Sequence, residues 1–162
     1  MDSYAFISER LSFRSITVED TREIVKWRSD PDIIRYFKNP MPLTIEEHLK
    51  WYQNYLLQNC RYDFIIEDQL SFTKIGFLAL PNIDRENLSC QIGYTIGEST
   101  YRGRGLAKEA VLSLIRFGQD TFNLKNFFAE VHYKNISSIR LVEALGFIKE
   151  VDEKEFCIYK YM

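Results

Sequence analysis

Apolar and polar positions alternate over residues 10–16, with Leu11, Phe13 and Ser15 on one side, which predicts a first strand. Thr17-Val-Glu-Asp20 then predicts a helix start, with Thr17 as cap and Asp20 reaching back toward it. Ile24, Val25 and Trp27 supply the apolar stripe of that helix, and Pro31 limits it, with a further turn over residues 32–36. Thr44-Ile-Glu-Glu47 is a second capping box, and Leu49, Tyr52 and Leu56 continue from it at helical spacing. Residues 62–67 and 74–80 predict paired strands joined by the short polar stretch 68–73. A turn region over 81–87 leads to an alternating strand over 89–96. A helix runs from the glycines after it to about Phe122, with Ala110, Leu114 and Phe117 on one face. Residues 126–133 predict a strand and 138–145 a helix, closed by Gly146 as a left-handed C-cap. Residues 147–151 and 155–161 close the chain as a hairpin around Asp152-Glu-Lys154.

The order is strand, two helices, a three-stranded meander, helix, strand, helix and two strands, with no linker or repeat. That order predicts a single mixed α/β (α+β) sheet domain. The 162 residues, 46% of them apolar, fit one domain with a sizeable core. A formal charge of -2 argues against nucleic acid as a direct partner. No run of 18 apolar residues predicts a membrane span, and the N-terminus has no basic region leading into an apolar stretch, so a cytoplasmic protein is expected. Three widely spaced cysteines, Cys60, Cys90 and Cys157, suggest neither a disulfide framework nor a metal site.

The candidate chemistry centres on Tyr101-Arg-Gly-Arg-Gly-Leu-Ala107, where a strand passes through a glycine turn into a helix N-terminus. Backbone N–H groups converge at such a place and the helix dipole favours negative charge, so a phosphate-bearing ligand is expected. A Walker loop needs four residues between its glycines and then Gly-Lys-Ser/Thr, and this turn has neither. A dinucleotide fingerprint needs a third small residue and an early place in a βαβ unit, whereas this turn follows a meander past mid-chain.

Arg102-Gly-Arg-Gly-Leu-Ala107 fits the pattern Gln/Arg-x-x-Gly-x-Gly/Ala and, with Asn135-Ile-Ser-Ser138 and Gly146-Phe147 downstream, resembles the GNAT family of N-acetyltransferases. Glu9-Arg-Leu-Ser-Phe-Arg14, Glu19-Asp20 and Trp27-Arg-Ser-Asp-Pro-Asp32 resemble its RimJ/RimL-like branch. Trp27-Arg28, Ile34-Arg35 and Glu47-His-Leu-Lys-Trp51 bear a fainter resemblance to nucleotide-amino-sugar N-acetyltransferases. The resemblance covers residues 9 to 161. It implies one GNAT-like domain over 1–162, a mixed sheet of about seven strands with helices on both faces, and an acetyl-CoA site splayed between the fourth and fifth strands.

The resemblance also implies roles. Tyr94, Thr95 and Ile96 would pair with the pantetheine arm, and the backbone from Arg102 through Gly103, Arg104, Gly105, Leu106 and Ala107 would hold the pyrophosphate. The side chains of Arg102, Arg104 and Lys108 would add charge for the phosphates. Asn135 and Ser138 would sit near the thioester, as cofactor contacts or as helix caps. Glu130 is the first candidate for the base, with His132 and His48 behind it. Val142 stands where many relatives carry a tyrosine that protonates the leaving thiolate, so Ser138, Tyr94, Tyr133 or water is left for that task. Trp27, Arg28, Tyr36 and Trp51, with Phe37 and Tyr52, come from the segments that would wall the acceptor site. The expected reaction is direct attack of a primary amine on acetyl-CoA, with no metal, in a monomer or homodimer. The acceptor is a small amine or amino sugar, or a protein N-terminus. A catalytically silent acyl-CoA-binding module is the competing class.

Overall fold

Among residues 3–162, which the computed structural model describes, the chain forms two sheets. The first comprises β1 (Phe6–Ile7), β2 (Leu11–Ser15), β3 (Tyr62–Asp68), β4 (Lys74–Leu80) and β6 (Gly93–Ile96), in the order β1-β2-β3-β4-β6. The second comprises β5 (Ser89–Gln91), β7 (Asn126–His132), β8 (Phe147–Glu153) and β9 (Phe156–Tyr161), in the order β5-β7-β9-β8. The helices are α1 (Thr21–Trp27), α2 (Pro31–Ile34), α3 (Ile45–Tyr55), α4 (Leu106–Phe122) and α5 (Ile136–Ala144).

β3 shows why helices cover both faces of the first sheet. Phe64 and Ile66 point into the core formed with α4, while Ile65 points into the core formed with α1 and α3. All three are essentially inaccessible to solvent, and a strand buried on both sides reads as a continuous apolar run rather than an alternation. β2 behaves similarly. Leu11 and Phe13 are buried on one side, and Ser12 and Arg14 on the other, while Ser15 is exposed rather than sharing the Leu11 face.

The burial of Arg14 is offset by a tight ion cluster. Its Nη1 and Nη2 donate to both oxygens of Asp20 at 2.8 and 2.7 Å, and its Nε donates to Glu67 at 2.8 Å. Lys74 lies 2.9 Å from Asp20, whose carboxylate also accepts the Thr17 N–H. Burial alone would raise the Asp20 pKa, but the Arg14 fork, the Thr17 N–H and Lys74 overcome it and hold the group at about 2. The expected Thr17–Asp20 capping box is thus present, and it also ties the first helical segment to β2, β3 and β4.

The predicted strand over 89–96 is divided. β5 pairs in parallel with β7, β6 pairs antiparallel with β4, and the Ile92 N–H donates to Phe128 O between them. The mixed sheet expected to splay between its fourth and fifth strands is present as two sheets that part beyond Ile92. Gly76 allows β6 to lie close on β4, since a Cβ there would fall 2.0 Å from the Thr95 carbonyl oxygen.

Other expectations shift by smaller amounts. β1 escapes a pattern search because it is two residues long. α3 buries His48 and half-buries Trp51, Tyr52 and Tyr55, whereas Leu56 of the predicted stripe is 62% exposed. α5 begins at Ile136, two residues before the predicted start, and the closing hairpin turns at Lys154, where φ is 49°. Gly146, with φ of 95°, ends α5 as expected. Among the described residues no helix is long and apolar enough to cross a membrane, and no cluster of side chains is suited to a metal ion.

Candidate active site

β6 is the last strand of its sheet, so beyond Ile92 the edge facing away from β4 has no strand partner among the described residues, and only its Ile96 carbonyl is taken, by Arg102. The second sheet turns away there with α5 at its end. The opening is a cleft of about 760 Å³, walled by Tyr94, Thr95 and Ile96 on one side and Asn135, Ser137, Ser138, Arg140 and Leu141 on the other. Asp32, Ile33, Arg35, Tyr36 and Phe37 close one end, and the turn from Tyr101 to Lys108 closes the other.

The turn delivers its groups through the backbone. Gly103 and Gly105 both have φ of 75°, a conformation that side chains with a Cβ resist, and this bends the chain sharply into α4. α4 has 17 residues, and its N-cap Gly105 offers no side-chain acceptor. The first intrahelical bond to the cap is Glu109 N–H to Gly105 O, so the N–H groups of Leu106, Ala107 and Lys108 lack carbonyl partners within the helix. This is a cradle for an anion. A Cβ at Gly103 would meet nothing within 4 Å, so the glycine is demanded by the backbone angle and the space beside it is open.

The arginines separate. Arg102 faces the cleft, but its guanidinium folds back to donate to Ile96 O at 3.0 Å and Gly97 O at 3.2 Å. Arg104 is turned away and lies over the Tyr101 ring at 4.9 Å, while its carbonyl accepts from Arg10. Lys108 lines the cleft, and so does Arg140, which sequence reasoning missed. Its signal was present: Ser137, Arg140 and Leu141, at i, i+3 and i+4, share one side of the helix that Asn135 opens. Leu106 is buried beneath the turn at 5% exposure, and Ala107 remains at the cleft wall.

At the middle of the cleft the Tyr94 hydroxyl and Ser138 Oγ share a short hydrogen bond across the opening. Ser138 N–H donates to Asn135 Oδ1 at 3.2 Å, so Asn135 caps α5 and fixes the serine. Burial pushes the Tyr94 hydroxyl up to about 12, so it is protonated at neutral pH. Val142 is fully buried and presents nothing to the cleft.

The remaining candidates lie elsewhere. On β7, Ala129 and Val131 face the core, while Glu130 and His132 share the other face. Glu130 pairs with Lys38 at 2.5 Å and lines a separate surface hollow with Glu153 to Phe156, outside the cleft. His132 accepts the Lys134 N–H through Nδ1, stacks on Tyr133 and meets the Tyr36 ring at a tilt. Tyr133 is 47% exposed, packed against Lys134. Trp27 is a correction to the expected acceptor wall. It is 1% exposed, packs on Phe77, and donates its indole N–H to Glu98 at 2.9 Å, so it is core. Tyr36 lines the cleft, while Arg28, Trp51 and the buried His48 line a different, smaller cavity behind Phe37. Cys60 is exposed, and the buried thiols Cys90 and Cys157 lie outside the cleft.

Known proteins match this arrangement. The acetyltransferase (GNAT) domain matches residues 10–148. The uncharacterized N-acetyltransferase p20 of Bacillus licheniformis is 32% identical over 147 residues, covering 88% of this chain and 82% of that protein. Spermidine N-acetyltransferase from Vibrio cholerae, solved with CoA and spermine, superposes with a TM-score of 0.83 at 21% identity over 93% of each chain. RimL, a ribosomal L7/L12 alpha-N-protein acetyltransferase solved with CoA, gives a TM-score of 0.86 at 16% identity over 99% of this chain and 98% of that one. The two structural matches speak to the fold, and the domain and sequence matches to the family. The splayed edge of β6, the uncapped start of α4 and the asparagine-capped α5 belong together for this reason: the chain is a member of the GNAT family of acetyltransferases.

Proposed function

We propose that this chain transfers an acetyl group from acetyl-CoA to a primary amine by direct attack in a ternary complex. The observation that carries the reading is the cleft itself. A free strand edge, an uncapped helix N-terminus and a Tyr94–Ser138 pair face one opening. The edge of β6 supplies alternating donors and acceptors for an amide-bearing arm. The turn from Gly103 to Lys108 supplies N–H groups for a pyrophosphate, with Lys108 and Arg140 adding charge.

The chemistry asks for one proton to leave the amine as the C–N bond forms, and one to reach the sulfur as the C–S bond breaks. An incoming ammonium meets Asp32, the one carboxylate among the described residues lining the cleft, gives one proton to solvent to become the attacking amine, and loses its second to solvent as the C–N bond forms. Glu130 pairs with the exposed Lys38 and lines a different hollow, which argues against it as the proton acceptor. At the other end, burial holds the Tyr94 hydroxyl protonated, so it and Ser138 can donate hydrogen bonds that steady the departing sulfur, with the proton arriving from solvent and no hydroxyl needed at position 142.

The acceptor is a small amine or a protein N-terminus. The test is thiol release from acetyl-CoA in the presence of an amine panel. Release that depends on amine supports the reading, and tight acetyl-CoA binding with no transfer to any amine contradicts it.

A further inference from the structure

Behind the Phe37 wall of the cleft lies a second, more enclosed cavity of about 240 Å³, several times the roughly 30 Å³ that one water occupies. It lies between α1, α3 and the first sheet. Most of its lining is apolar or aromatic, but four titratable groups face it: Arg28, His48, Arg61 and Asp63. Arg61 is spoken for, with Nε and Nη2 donating to Asp63 at 2.6 and 2.9 Å. Arg28 Nε and His48 Nε2 are buried and have no hydrogen-bond partner among the described residues, and His48 is only 2% exposed. Leaving such groups buried and unpaired is unfavourable, and a ligand that accepts from them relieves that cost. Burial and the neighbouring Arg28 lower the His48 pKa, so the imidazole is neutral and has one N–H to donate.

The charge and the position decide what fits. Two guanidiniums against one carboxylate leave one positive charge, so a single negative charge balances the cavity. A phosphate monoester carries about -1.5 to -2 and would overshoot, and a polyamine would set cations against arginines. A carboxylate is planar, singly charged and matched to an Arg fork. Phe37 lines the acetyl-transfer cleft, and its ring centroid lies 4.9 Å from the Arg28 guanidinium carbon, so one aromatic ring partitions the two spaces. Phe77 of the cavity lies directly across the β4–β6 ladder from Thr95 of the cleft.

We propose that this cavity seats a carboxylate of the acceptor at Arg28 and His48, so that the acceptor is an amine that also carries a carboxylate on a short apolar body. The inference rests on the N-acetyltransferase reading. It has one part that stands without it, since the cavity should bind a carboxylate even when no acetyl group moves.

Two measurements test it. The first compares acetylation of 4-(aminomethyl)benzoate, its neutral carboxamide and the corresponding aryl phosphate. The expected kcat/KM is at least tenfold higher for the carboxylate than for either analogue, and Arg28→Gln should bring that ratio close to one. Arg28→Lys should restore part of it, and CoA affinity should stay unchanged in both variants as the sign of an intact fold. Equal rates for carboxylate and carboxamide would overturn the proposal, as would a preference for the phosphate. The second titrates benzoate and benzamide into the wild-type protein and follows the imidazole proton resonances. The chain has only two histidines, which makes His48 assignable. Benzoate should shift His48 and leave His132 in place, and benzamide should shift neither. Failure of benzoate to move His48 overturns the carboxylate site whatever the enzyme does. Failure of every amine to release thiol, with His48 still responding, overturns the acetyl-transfer reading instead.

Discussion

The cleft proposed for the acetyl donor and the cavity proposed for the acceptor are built in different ways. The cleft is made largely of backbone: the edge of β6, the N–H groups from Gly103 to Lys108, and a helix opened by its own asparagine. The cavity is made of side chains from separate segments. Arg28 follows α1, Trp51 and His48 come from α3, Arg61 precedes β3 and Asp63 lies within it. A backbone site is specified by a few consecutive residues, because glycine angles and helix starts are local properties. A side-chain site is specified only once the fold has brought distant segments together. The donor end can therefore be common to a whole family while the acceptor end varies.

If that contrast holds, the acceptor half should depend most on its buried ion cluster. Asp20→Asn removes the carboxylate shared by Arg14 and Lys74 and leaves the buried guanidinium with Glu67 as its charged partner. The expected loss is about 3–5 kcal/mol, read as a shift of roughly 10 °C in a thermal melt. The same carboxylate gives an acid dependence. Its folded pKa of about 2 lies below the ordinary 3.8, so its stabilisation is complete above the ordinary value. It fades as pH falls from near 3.8 toward 2, by about 2 kcal/mol, and Asp20→Asn should lack that part of the acid transition. Denaturant unfolding at several pH values checks both.

A change in the backbone cradle should act on the donor alone. Gly105→Val places a branched side chain at φ of 75° in the turn. Acetyl-CoA affinity should fall about 100-fold, equivalent to about 2.7 kcal/mol. Retained affinity in calorimetry would mean that the pyrophosphate lies elsewhere. Tyr94→Phe and Ser138→Ala should each lower kcat by about tenfold with CoA affinity nearly unchanged, and the double variant should lose little more than either one, because the two hydroxyls act through one shared bond. Additive losses would give them separate roles. Glu130→Gln should have the smallest effect, within about threefold in kcat, because its carboxylate serves Lys38. A fall of 100-fold with an altered pH–rate profile would return Glu130 to the role of base.

The same contrast explains how far the sequence could be read. The Thr44 and Thr17 boxes, the Gly146 cap and the α4 start are local, and the structure contains each of them. The break at Ile92 was not legible, because 89–96 alternates smoothly and the split depends on β7 competing with β4 for its backbone. Trp27 was misread for a related reason. An aromatic on a short helix looks the same whether it faces a ligand or Phe77, and only the fold brings Glu98 to its indole. Arg104 fitted the phosphate pattern as a residue type, yet the positive φ on either side of it swings its side chain onto Tyr101.

The central claim is that the open edge of β6 and the turn into α4 hold the acetyl donor through the backbone. Amide hydrogen exchange with and without acetyl-CoA tests it most directly. The account predicts slowed exchange at Tyr94 to Ile96 and at Gly103 to Lys108, with no change at the amides of β8 and β9. Tight binding with protection confined to other segments, and none on β6 or the turn, would contradict it.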